Sequence, residues 1–93
     1  MNNKNLKKIR LKLDKLDTKL LGLIKKRTVL VDKVLQTKQH KNQIIDKRRI
    51  NKILSNIKKK SKRKKIDIEI TRKIWKAMIR AYIDYEYKNF EKK

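Results

Sequence analysis

Arg10, Arg27 and Lys38 are the residues of this 93-residue chain whose placement asks for chemistry. Leu6, Ile9, Leu13, Leu16, Leu20 and Leu23 recur at spacings of three and four, Arg27 takes the next step of the same stripe, and Leu30 and Val34 continue it. Such spacing turns one helix face toward a partner, so Arg27 faces inward. A half-buried guanidinium needs hydrogen-bonded anions, yet the chain has 9 acids against 31 Lys and Arg. A small-molecule ligand is a candidate for the missing anion. At about 100° and about 1.5 Å per residue, Lys38 stands about 20° round the axis from Arg27 and roughly 16 Å along it. Two long side chains so placed can grip opposite ends of one small molecule. Arg10 lies about 25 Å from Arg27 and about 100° round the axis, out of reach of that ligand from its own helix but within reach from a second copy packed antiparallel.

A fourth titratable residue, Glu86, follows Ile79 by seven and Tyr82 by four on the last predicted helix, which aligns it with an apolar face rather than with solvent. The same residue could equally sit at a frayed C-terminus beside a surface Lys. His40 lies in a polar break with no second His and no Cys to help it hold a metal, so no metal site is expected.

The elements that position these groups are helices. There is no Pro, one Gly and no long alternation of apolar and polar residues, so a sheet is not expected. The first helix should run from about Asn5 to about Gln39, with Gly22 as its one weak point, and His40 to Gln43 should break the chain. Asp46 can cap a second helix whose buried face is Ile50, Ile53, Leu54 and Ile57. That helix should give way at Lys58 to Lys65, a KKKSKRKK run that repels itself and reads as an exposed connection or fraying end. Asp67 can cap a third helix that continues to about Phe90. It carries two apolar faces, one through Ile70, Ile74, Ala77, Met78 and Ala81 and one through Trp75, Ile79, Tyr82 and Ile83, so it should be wedged between neighbours. The expectation is one all-α domain over residues 1–93, with three helices enclosing so modest a core that dimerisation is an economical way to bury the long stripe.

Composition narrows the function classes. With no cysteine, disulfide and thiolate chemistry are excluded. No apolar run is long enough to span a bilayer, and the Asn- and Lys-rich start lacks the apolar segment of a signal peptide, so a cytoplasmic protein is the default expectation. A net charge of +22 invites a nucleic-acid reading, because clustered cations bind phosphate by counterion release. Against it, 24 of the 31 basic residues are Lys and the usage of Lys, Ile and Asn is also what an AT-rich coding sequence would give.

The stretch LKKIRLKLDKLDTKLLGLIKKRTVLVDKVLQTK, followed by IIDKRR and later by KIWKAMIRAYIDYE, resembles the all-helical chorismate mutases of the AroQ class over nearly the whole chain. Its most specific part is the ordered set of Arg10, the DKLD of residues 14–17, Leu20 and Leu21, Arg27 and Lys38, with Asp46 and Arg49 downstream. The resemblance implies an intertwined homodimer of three helices per chain, with long first helices pairing across the two-fold axis. It implies the rearrangement of chorismate to prephenate in aromatic amino-acid biosynthesis, with no metal and no cofactor. Arg10 from the partner and Arg27 would bind the substrate carboxylates, and Arg49 would support that network. Lys38 would donate to the ether oxygen, and Glu86 falls where the family has Gln or Glu as second donor to that oxygen. Asp46 would lie near the substrate hydroxyl, and Val34, Ile79 and Ile83 would supply the apolar wall.

Two positions depart from the family pattern. Ile50 stands where a Glu usually accepts the substrate hydroxyl, and Tyr82 replaces a residue that is usually small at the pocket edge. Two other readings therefore stay open: a basic helical nucleic-acid binder using the KKKSKRKK run, and a catalytically silent regulatory homodimer of the same fold.

Overall fold

A computed structural model of the chain describes residues 3–91. Among them the elements are helix α1 (Asn3–Thr37), one 3-10 turn (Lys41–Gln43), helix α2 (Lys47–Arg63) and helix α3 (Ile68–Asn89), with no strand. The all-helical class and the long, short and medium helices agree with the sequence reading, and α1 both starts and stops two residues before the predicted bounds. Its stop has a local cause. The Lys38 N–H tightens onto the Leu35 carbonyl at 3.0 Å, and Gln43 Oε1 accepts from the N–H groups of Gln39 at 2.7 Å and His40 at 3.0 Å. Donors that would otherwise be orphaned past the helix end are thereby satisfied, and the chain turns.

The chain divides into two compact units, one up to Lys33 and one from Val34 onward. The first is a single helix. Ile9, Leu13, Leu16, Leu20, Leu23 and Leu30 along its stripe are each more than half exposed, while Arg27 is half-buried. A lone helix contains nothing that could bury such a face within its own unit.

The second unit holds the core: Leu35, Ile44 and Ile83 are buried, and Ile50, Ile79 and Phe90 pack against them. Asp46 starts α2 with extended backbone, and its carboxylate accepts from the Arg49 N–H at 3.0 Å, satisfying one of the four orphan donors. Asp67 does the same for α3 through the Glu69 N–H at 2.9 Å. The two helices form an antiparallel hairpin, since Ile50 near the start of α2 meets the cluster of Ile83 late in α3, and Ser61 near the end of α2 meets Thr71 early in α3. The predicted inner face of α2 is half-buried at Ile50, Ile53, Leu54 and Ile57. On α3 the face through Trp75, Ile79, Tyr82 and Ile83 is covered, but Ile70 and Ile74 on the other face are 55% and 49% exposed, so the expected wedging is not complete.

The basic run is the clearest difference from the sequence reading. It is helical through Arg63 rather than an exposed connection or fraying end. Ser61 is the reason: 3% exposed, it bonds the Ile57 carbonyl at 2.6 Å and the Thr71 hydroxyl at 2.8 Å, pinning the last turn of α2 to α3. The helix then closes in a Schellman motif, with Ile66 N–H donating to the Ser61 carbonyl at 2.9 Å and Lys65 N–H to the Lys62 carbonyl at 3.1 Å. Lys65 carries the left-handed conformation this motif requires, at φ 58°, where Gly is usual. A side chain with a Cβ is strained there by about 1 kcal/mol. Lys65→Gly should therefore raise stability by a few tenths to about 1 kcal/mol, read from the urea midpoint at fixed protein concentration; a lowered midpoint would contradict this account of the turn.

Candidate active site

The last turn of α1, the 3-10 turn and the C-terminal half of α3 converge on one pair of charges. Lys38 Nζ lies 2.8 Å from Glu86 Oε1 and 3.4 Å from the Ile44 carbonyl oxygen, with the two side chains only 15% and 10% exposed. Each element delivers its group for a local reason. Lys38 is the first residue past α1, held by the Leu35 carbonyl that ends the helix. Ile44, 3% exposed, is driven inward by its side chain and so aims its carbonyl at Lys38. Glu86 lies three residues after buried Ile83 and seven after half-buried Ile79, which carries it inward on the same face of α3.

An ammonium has three donors, and two of Lys38's are engaged by Glu86 and Ile44. The third is available to another acceptor. Taking both charges out of water costs several kcal/mol per ion, offset here by a short charge-assisted bond. Removal of either partner alone would leave the other buried and uncompensated. Beside the pair lies an open hollow of about 530 Å3 lined by Thr37, Lys38, Gln43, Ile45, Asp46 and Lys47.

The second unit thus brings Lys38, Glu86, Ile79, Ile83 and Ile50 around one apolar cluster and sets Asp46 on the hollow that Lys38 also lines. Asp46 is partly committed, because one carboxylate oxygen caps Arg49. The Arg49 side chain is exposed on the first turn of α2. Tyr82 is half-buried and stacks edge-to-face on Tyr85, with ring centroids 6.3 Å apart. Val34, at the start of this unit, is 52% exposed. Arg10 and Arg27 belong to the first unit, Arg10 exposed and Arg27 half-buried. Ile50 packs on the apolar cluster and offers no hydrogen-bond acceptor.

Sequence reasoning missed the Ile44 carbonyl. The available signal was the Ile44–Ile45 pair directly after the polar break, which marks the point where the chain turns back to the core. It also missed a second cavity of about 420 Å3 between α2 and α3, whose lining includes Leu54, Ile57, Ile68 and Thr71. At its rim the Arg72 guanidinium bonds Glu69 and holds that carboxyl below its ordinary range, while Glu69 raises Arg72. A lowered carboxyl contributes stability above its unfolded value that is lost on acidification, but this pair is solvent-exposed and contributes little.

Among the described residues no group of His, Cys, Asp and Glu could hold a metal ion, and no helix is long and apolar enough to cross a membrane. No curated protein and no solved structure matches the chain. Residues 9–87, from just before Arg10 to just past Glu86, match the family model described as chorismate mutase type II. That match spans most of the sequence and contains every element that builds the Lys38–Glu86 site: the chain belongs to the chorismate mutase type II family.

Proposed function

We propose that the chain is a chorismate mutase, an isomerase that rearranges chorismate to prephenate in a site completed by a second copy of itself. The observation that carries this reading is the buried Lys38–Glu86 pair, formed within a family match that includes both residues. The reaction breaks the ether C–O bond and forms a C–C bond in one concerted step, with no net proton transfer. It needs no nucleophile, only a compact substrate conformer and donors aimed at the oxygen where negative charge develops.

Each group then has a defined task. Arg27 and Arg10 of the second copy bind the two carboxylates, for which guanidinium forks are suited, with Arg49 reinforcing them. Lys38 turns its spare donor to the ether oxygen. Glu86 holds the Lys38 ammonium toward that oxygen; it stands where a second donor is expected, and only a protonated carboxyl could itself donate there. Asp46 meets the substrate hydroxyl, Val34, Ile79 and Ile83 wall the ring, and Tyr82 bounds the pocket edge. The exposed stripe of α1 supports the homodimer: burying a leucine contributes about 1.5–3 kcal/mol, so covering half a dozen such residues contributes on the order of 10 kcal/mol, as much as a whole domain's net stability.

Ile50 is the observation that favours a second reading, a silent dimer of the same fold, since an apolar side chain there cannot hold the substrate hydroxyl.

Turnover of chorismate followed by ultraviolet absorbance, with prephenate confirmed as product, separates the two. The catalytic reading predicts turnover, with prephenate as the product. Glu86→Gln places a neutral donor at this position and should keep turnover, and Lys38→Ala should lower kcat by about 100- to 1,000-fold. Absence of turnover would leave the silent dimer, and loss of turnover in Glu86→Gln would remove the donor role from this position.

A further inference from the structure

The catalytic reading leaves the corner between α2 and α3 unused, and its charge is unlike anything else in the chain. The 17 residues of α2 carry nine cations and no acid, and Lys64 and Lys65 extend the series through the turn. From Lys58 to Lys65 every residue but Ser61 is a cation. The ion pairs Lys38–Glu86, Glu69–Arg72 and Arg80–Asp84 involve none of them.

The backbone that carries this array is fully hydrogen-bonded. Ser61 is locked against Thr71, α2 is helical through Arg63, and the Schellman motif fixes Lys64 and Lys65. With about 100° per residue, the cations at 58, 59, 60, 62, 63 and 64 point around almost the whole circumference of the helix, leaving one gap centred on Ser61, the side that meets α3. At about 1.5 Å per residue the seven cations occupy about 12 Å, or one charge per roughly 1.7 Å. Duplex nucleic acid carries one negative charge per about 1.7 Å of axis.

We infer that the α2–α3 corner docks on the phosphate walls of a duplex nucleic acid. Cations on several sides of a helix end suit a groove, where phosphates flank the helix on both walls; a groove about 12 Å wide admits a helix about 10–12 Å across. A flat anionic membrane meets only one side of such an array. It would also need apolar anchors beside the cations, and Ile66, 40% exposed, is the only large apolar residue in the stretch from Lys58 to Asp67. Single strands are held largely by stacking on aromatic side chains, and the corner has none between Lys58 and Lys73. Binding of this kind positions through backbone phosphates and reads no sequence.

The test is fluorescence anisotropy of the full chain with a labelled duplex of about 20 base pairs, titrated from about 50 mM to about 200 mM salt. Replacing Lys59, Lys62 and Lys64 together by Gln should weaken binding at least about tenfold and reduce the steepness of the log–log salt dependence by about 2 to 3. A control with Lys7, Lys8 and Lys12 of α1 replaced by Gln has the same net charge and should stay within about twofold of the parent. The inference is overturned if the duplex does not bind at low salt, if both triple variants lose affinity equally, or if the corner variant loses nothing. It is likewise overturned if vesicles containing phosphatidylserine bind through the same lysines more tightly than the duplex does.

Discussion

A chain whose buried apolar side chains among the described residues are Leu35, Ile44 and Ile83 must find most of its hydrophobic stabilisation outside its own core. Ordering a backbone costs about 1–2 kcal/mol per residue, and three buried side chains offset only a small fraction of that across the helices described. The apolar surface that could close the gap lies along α1, where six stripe residues stand more than half exposed. On the proposed reading this one constraint explains both the length of α1 and the division of the site between two chains. A helix long enough to present its stripe to a second copy also carries Arg10 about 25 Å from Arg27, too far to serve the same ligand.

Within the second unit, the Lys38–Glu86 pair solves a different problem. A cation-rich chain gains nothing from one more exposed lysine, but a buried ammonium held by a carboxylate and a backbone carbonyl is oriented before any ligand arrives. Donors fixed in advance need little reorganisation when charge develops. The surrounding isoleucines lower the local polarity, which strengthens any charge-assisted bond made there. The apolar cluster that folds this unit is therefore also the medium in which the proposed chemistry would run.

Features written in local residue types were legible in the sequence. Unbroken spacing gave α1, the aspartates at 46 and 67 gave the helix starts, and the interval from Ile79 and Tyr82 offered an inward place for Glu86 that competed evenly with a frayed end until its burial was seen. Features that depend on tertiary partners were not. A serine inside KKKSKRKK looks like one more polar residue until Thr71 faces it, and only then does the run become the ordered end of a helix. The Ile44 carbonyl escaped notice because main-chain atoms leave no mark on composition. On the proposed reading, placement of Arg10 against Arg27 belongs to the assembly of two chains, beyond what periodicity in one chain specifies.

The central claim is that one active site takes residues from two chains, and mixing two inactive variants tests it most directly. Arg10→Ala and Arg27→Ala homodimers should each lack chorismate turnover, since every site in either misses one guanidinium. After the two are unfolded together and refolded as an equal mixture, about half of the dimers are mixed, and each mixed dimer regains one intact site while its other site lacks both arginines. The account predicts recovery to about a quarter of the parent's turnover, tied to dimers that contain both chains. A mixture as inactive as its components, from chains shown to form mixed dimers, would mean that Arg10 and Arg27 act from the same chain or not at all.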